Sequence, residues 1–179
     1  MASRMTAERY GRMTAGLRSR PGAVRCLRVA DAAVRVVFYV AFAALLALFF
    51  LRSRWVTGAC VAVTLAVGFA VLSDVRARVD APRPYEALAI EPLLDARHAG
   101  TSFPSRHVFS CMAIATCWSA MSVPVCAVLV ALGVAEAAVR VVGGVHFPRD
   151  VVVGALCGVA TGALALVAAI PLRAVVGVG

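Results

Sequence analysis

Three short clusters in this sequence hold residue types suited to an anionic group. Arg76 is followed, after six residues, by Arg83-Pro84. Pro104-Ser105-Arg106-His107 forms the second cluster, and Arg140, His146 and Asp150, separated by five and three residues, form the third. A phosphoryl group carries two negative charges and needs several donors around its equatorial oxygens, and planar guanidinium forks match that geometry better than point charges do. Ser105 stands before an apolar run, where its hydroxyl and the free N–H groups of a helix start would hold an anion. His146 and Asp150 lie one helical turn apart, with Pro148 suited to a first turn. A carboxylate so placed fixes an imidazole tautomer and leaves the other ring nitrogen free to attack. His107 is then the acid that protonates the departing oxygen, although spacing alone does not rank the two histidines. No cluster supplies the carboxylate set of a magnesium site, so neither a metal nor another cofactor is expected.

These clusters stand at the edges of hydrophobic runs, which fall at about 32–51, 55–73, 107–123, 124–142 and 150–170. A bilayer-spanning helix needs about 20 mainly apolar residues, so the expectation is an all-α integral membrane bundle of about five transmembrane helices. Ser122-Val123-Pro124 divides the third run from the fourth and reads as a tight helical hairpin. If the spans alternate in direction, all three clusters arrive at one membrane edge. Gly154, Gly158 and Gly162 recur every fourth residue in the last run, a spacing that forms a groove for close helix packing. The polar stretch from Ser73 to Arg106 reads as a long functional loop. Within it, His98 belongs to no cluster and is read as a loop residue, and Arg97 as an arginine reaching for the interface.

Composition supports the membrane setting. The hydrophobic fraction is 62% and the charged fraction 15%, against the roughly 25% charged residues of soluble domains. All eighteen basic residues are arginine, and the net charge is +9. They gather at the ends of apolar runs and are not interleaved with aromatics, which points to a bilayer surface or a phosphate-bearing substrate and away from nucleic acid. The six cysteines include no CxxC pair and read as small hydrophobes within helices. Residues 1–30 carry seven arginines and one acid, Glu8. They read as a basic leader, with an interfacial helix as one option, ahead of a membrane-embedded domain at 31–179. The leader's charge predicts a cytoplasmic N-terminus, which five alternating spans would place on the same side as the three clusters.

The clusters resemble the signature of the type 2 phosphatidic acid phosphatase family, which also contains the vanadium haloperoxidases. That signature runs Lys-x6-Arg-Pro, Pro-Ser-Gly-His and Ser-Arg-x5-His-x3-Asp, and the likeness covers roughly residues 76–150. The resemblance implies that Arg76, Arg83, Ser105 and Arg140 bind the substrate phosphate. It further implies that His146 forms a phosphohistidine, that Asp150 orients it, and that His107 protonates the leaving group. The activity implied is metal-independent hydrolysis of a phosphatidyl or isoprenoid lipid phosphate or pyrophosphate by a multi-pass protein of the cell membrane. Three positions depart from the signature: Arg76 replaces its lysine, Arg106 its glycine and Val139 its first serine. Relatives in the family commonly work on the outer face, so the leaflet stays open.

Two residues are read as supports. Glu136 lies within the fourth run, where an acid costs about 2.5–3.5 kcal/mol to insert, and Arg140 one turn away is its expected partner. Arg106 either adds a phosphate contact or faces the lipid headgroups. Two other functions remain: a protein that binds lipid phosphate without turnover, and a vanadate-dependent haloperoxidase, for which lipid access would be superfluous.

Overall fold

The computed structural model describes residues 5–95 and 100–176, so Arg97 and His98 lie outside the described residues. Among the described residues seven helices follow one another: α1 (Ala7–Arg18), α2 (Pro21–Leu51), α3 (Trp55–Val79), α4 (Pro84–Ala87), α5 (Arg106–Trp118), α6 (Val123–Val142) and α7 (Pro148–Val176). The described residues contain no strand, as expected of an all-α bundle. The boundary between residues 30 and 31 falls inside α2, so the last part of the basic leader is continuous with the first long helix.

By length and composition, α2, α3, α6 and α7 are able to cross a membrane. The expected fifth element is present but differs in kind. α5 has 13 residues and is about 20 Å long, short of the roughly 30 Å hydrocarbon core. It occupies the centre of the bundle, with Val108, Ala113, Ala115 and Cys117 fully buried, and packs on α2, α3, α6 and α7. An apolar run of that length reads alike whether lipid or protein surrounds it. Outward-facing apolar side chains such as Phe50, Val63, Val128, Leu156 and Leu164 are exposed, while Asp31, Arg76, Glu136, Arg140 and Asp150 are buried. That inversion of soluble-protein patterning fits a protein whose surface meets acyl chains.

α3 continues through residues expected to begin the polar loop. Its last turns are held by the Ser73 hydroxyl, which donates to the Phe69 carbonyl at 2.7 Å, and by an Asp74–Arg78 pair at 2.9 Å. Polar residues at a membrane edge do not end a helix when one-turn partners are at hand. The hairpin before α6 forms as expected, with Ser122 capping the helix by accepting from the Val125 N–H at 3.4 Å. α1 lies across the same end of the bundle as the three clusters. Its Tyr10 is buried against Gly144, and Arg18 donates to the Glu91 side chain at 3.4 Å and to the Glu91 carbonyl.

The glycine stripe of α7 receives α5 directly. A Cβ on Gly154 would stand 2.5 Å from the Ser105 carbonyl oxygen, one on Gly162 would stand 2.7 Å from that of Ala113, and one on Gly158 would collide with that of Phe109. The obstacles are backbone atoms, so they cannot swing aside. Gly158→Ala is therefore expected to destabilise the protein by about 1–3 kcal/mol. By contrast, Gly16→Ala in α1, where a Cβ meets nothing within 4 Å, should be neutral or gain about 0.5–1 kcal/mol. Thermal unfolding of both variants in detergent checks this, and equal melting shifts would refute the groove as a determinant of packing.

Candidate active site

The connection from α6 to α7 carries the third cluster into the bundle. Gly144 takes a positive φ of 74°, turning the chain so that His146 points inward, where it is 3% exposed. Asp150, in the first turn of α7, is fully buried, and its Oδ2 accepts from the Phe147 N–H at 3.0 Å. The His146 Nδ1 to Asp150 Oδ2 separation is 3.7 Å, too long for a direct hydrogen bond. The gap is bridged by Ser102, a residue that no motif singled out. Its hydroxyl donates to Asp150 Oδ2 at 2.6 Å and lies 3.4 Å from His146 Nδ1.

These contacts determine where the proton sits. The carboxylate only accepts, so the single hydroxyl hydrogen of Ser102 is committed to it, and Ser102 Oγ meets Nδ1 as an acceptor. This arrangement favours the tautomer of His146 with its proton on Nδ1 and the Nε2 lone pair free. Burial, reinforced by the charges of Arg140 and Arg83, holds the imidazole below its ordinary pKa, with Asp150 opposing the shift.

Arg76, Arg83, Arg140 and Arg106, the arginines of the three clusters, come to this end of the bundle, each held by a neighbour. Arg76 is 3% exposed and donates from Nη1 to the Ser102 carbonyl at 3.1 Å and to the Pro104 carbonyl. It thereby fastens the strand of chain that leads into α5. Arg83 is half-buried and donates from Nε to the Gly100 carbonyl at 3.0 Å, while the Glu86 carboxylate accepts from the backbone N–H groups of Arg83 and Gly100 at 2.7 and 2.9 Å. Arg140 lies between two carboxylates, with Nη1 3.1 Å from Asp31 and Nε 3.3 Å from Glu136. The expected Glu136 partner is thus in place. Asp31, 5% exposed at the start of the apolar part of α2, was not anticipated; it also pairs with Arg35 at 2.9 Å. Arg106 is exposed and lies over the Phe69 ring, 5.7 Å from its centroid.

Ser105 is the N-cap of α5 and fully buried, yet its Oγ has no hydrogen-bond partner. A buried hydroxyl without a partner is costly, and here it stands beside the unpaired first-turn N–H groups of a helix, an arrangement that suits a bound anion. Its own N–H donates to the Asp150 carbonyl at 2.9 Å, which ties the second cluster to the third. His107, half-buried one residue into the helix, lines a cleft between α2, α3 and α5. Every residue of the three clusters therefore gathers at one end of the bundle, with Ser102 and Asp31 added by the fold.

The chain belongs to the PAP2 superfamily, whose sequence pattern matches residues 55–171. Its fold is similar to that of LpxE from Aquifex aeolicus, with a TM-score of 0.62 and 24% identity over 80% of this chain and 92% of that one. It is likewise similar to that of a transmembrane PAP2 type phosphatidylglycerolphosphate phosphatase from Bacillus subtilis, with a TM-score of 0.63 and 18% identity over 82% of this chain and 76% of that one. No protein with a curated description matches. Because the family match begins at Trp55, Asp31 and Arg35 on α2 lie outside it.

Two outcomes follow from this geometry. Ser102→Ala removes a hydrogen bond to a charged group, worth about 1.5–3 kcal/mol. The expected result is a fall in kcat of about 10- to 100-fold with little change in KM, and an unaltered kcat would refute the bridge. In addition, a lowered His146 pKa keeps the ring neutral into mildly acid solution. The acid limb of kcat/KM, corrected for substrate ionisation, should have its midpoint below the ordinary histidine value of 6.5, and a midpoint above it would contradict the burial effect.

Proposed function

We propose that this protein is a membrane phosphatase that hydrolyses a phosphomonoester or pyrophosphate on a lipid through a phosphohistidine on His146. The observation that carries the reading is the buried chain Asp150–Ser102–His146, in which Ser102 donates to Asp150 and lies 3.4 Å from Nδ1, an arrangement that supports the Nδ1-protonated tautomer with Nε2 as the nucleophile. Membership of the PAP2 superfamily supports the reaction class, and the exposed apolar surface supports a lipid substrate in the cell membrane.

In the first half-reaction Nε2 bonds to phosphorus while the P–O bond to the lipid breaks, and the departing oxygen takes a proton from His107. Burial and the Arg140 charge hold the pKa of that imidazole down to about 3 in the substrate-free site, and the charge of the bound phosphate dianion favours its protonated form. In the second, water attacks the phosphohistidine, the P–N bond breaks and inorganic phosphate leaves, the water's proton returning to His107. Positive charge on the phosphorylated imidazole is stabilised by Asp150 through Ser102. Arg76, Arg83 and Arg140, together with the Ser105 hydroxyl, take the phosphoryl oxygens. Because each arginine is already held by a carbonyl or carboxylate, little reorganisation accompanies charge development. Uncatalysed hydrolysis of phosphate monoesters is so slow that accelerations reach about 10²¹-fold, and a dense preorganised array of donors answers that demand. No metal is invoked: the guanidinium groups supply the positive charge, and among the described residues no three His, Cys, Asp or Glu side chains converge as ligands.

The test is release of inorganic phosphate by the purified protein in detergent with EDTA, offered phosphatidate and isoprenyl mono- and diphosphates. The wild type is expected to turn over at least one of them. His146→Ala should lose activity by about 10³-fold or more, and alkaline quenching with a ³²P-labelled substrate should trap label on the wild type only. Tight binding of the lipids without release would favour the binding-protein reading instead.

A further inference from the structure

The turn that aims His146 is built on two glycines, Gly143 and Gly144, at the end of α6. Glycine leaves the backbone more freedom than any other residue, so the surroundings have to hold the turn. Two pieces of chain close on it. The first is the segment 91–95. The Gly143 carbonyl, one of those that a helix end leaves without an intrahelical partner, accepts from the Leu93 and Leu94 N–H groups at 3.0 and 3.3 Å. Leu94 is buried there, and a Cβ on Gly143 would stand 2.5 Å from its side chain. The second piece is α1, whose Tyr10 fills the space that a Cβ on Gly144 would need, with its hydroxyl oxygen 2.6 Å from that position.

α1 meets both pieces with one stripe of side chains. Tyr10, Thr14 and Arg18 recur every fourth residue and therefore share a face. The Thr14 hydroxyl donates to the Tyr10 carbonyl at 2.9 Å, and its oxygen accepts from Arg18 Nε at 3.3 Å. The guanidinium so oriented lies 5.9 Å from the Tyr10 ring centroid and donates from its other nitrogens to the Glu91 carboxylate and carbonyl. From α2, Arg28 donates to the Leu93 carbonyl at 2.8 Å and pairs with Asp95 at 3.6 Å. A helix that merely covered the bundle would turn an apolar stripe inward. Behind Tyr10, the inner face of α1 instead holds a fully buried threonine that orients an arginine, and the arginine grips the segment that holds the turn.

Resting on the phosphatase reading above, we infer that the basic N-terminal segment positions the nucleophile: Tyr10 and Arg18 are positioning residues that hold the Gly143–Gly144 turn and with it the aim of His146 Nε2 at phosphorus. Tyr10 bears on the turn directly, and Arg18 acts through the segment 91–95. His146 follows Gly144 by two residues, so a shift of the turn moves the ring, and a reacting atom misplaced by about 1 Å costs about 100-fold in rate. Arg76 and Arg83 are anchored elsewhere, on the carbonyls of Ser102, Pro104 and Gly100. Loosening the turn therefore lowers kcat with little change in KM. Both positioning residues precede the segment matched by the family pattern, so the device belongs to this chain's own N-terminal segment.

The experiment measures kcat and KM for phosphate release from phosphatidate and from an isoprenyl diphosphate, together with amide hydrogen exchange at residues 143–146, on the full chain in detergent. Tyr10→Ala and Arg18→Gln are expected to lower kcat about 10- to 100-fold with KM within about threefold of the wild type, and to quicken exchange at the turn. Tyr10→Phe, which keeps the ring beneath Gly144, and Arg12→Gln, on the outer face of α1, should keep kcat within about threefold. Should Tyr10→Ala melt below the assay temperature, Arg18→Gln, altered at the surface, is read by the same split. Folded variants with wild-type kcat and unchanged exchange, or a loss confined to KM, would overturn the positioning role and leave the phosphatase reading intact. Release from neither lipid by the wild type would overturn the phosphatase reading, and exchange at the turn would still decide whether α1 holds it.

Discussion

The close approach of α5 to α7 is the constraint on which the site depends. In a bilayer, helices gain no hydrophobic advantage by leaving lipid for one another, so contact between backbones has to come from fit. Three glycines one turn apart let the carbonyls of Ser105, Phe109 and Ala113 come against α7 where any side chain would intrude. At the top of that seam the Ser105 N–H reaches the Asp150 carbonyl at 2.9 Å. The serine, both histidines and the aspartate thus owe their juxtaposition to residues with no chemistry of their own.

Charge is managed by pairing before any substrate arrives. Buried guanidinium and carboxylate groups are expensive singly and tolerable when each donor and acceptor is engaged. Arg140 is flanked by Glu136 from its own helix and by Asp31 from α2, which also pins the first long helix to the site. Arg76 serves the loop ahead of α5 through two backbone carbonyls. Rigidity at the site therefore comes from the same groups that would meet an anion, and the Ser105 hydroxyl, buried without a hydrogen-bond partner at the start of α5, is a place where an incoming oxygen would be received.

Where sequence reading succeeded, the partners were near one another along the chain. Glu136 and Arg140, His146 and Asp150, and the glycines of α7 all declare themselves by one-turn spacing, and the helical hairpin by Pro124 behind a serine. Ser102 and Asp31 escaped for the opposite reason. Ser102 meets residues 44 and 48 positions away, and nothing local marks it out from other serines. Asp31 stands at the start of an apolar run, where a lone carboxylate reads the same whether it faces headgroups or a buried arginine. α5 was recognised as apolar, but only the fold distinguishes a core helix from a lipid-facing one. Similarly, the polar end of α3 was taken for loop because composition changes there before the helix ends.

Tyr10, buried beneath Gly144, joins the first helix of the chain to the turn that delivers His146. During synthesis these two pieces leave the ribosome far apart in time. α1 is made before α2, whereas its seat against Gly144 exists only once α6 has been made and the chain has turned toward α7. Seating of Tyr10 therefore requires α6 and its turn to be in place, whatever contacts α1 has already made with α2. A membrane-inserted chain whose final turn is malformed would be left with this tyrosine and its arginine-rich flank unseated, a visible mark of incomplete folding at the water-facing edge.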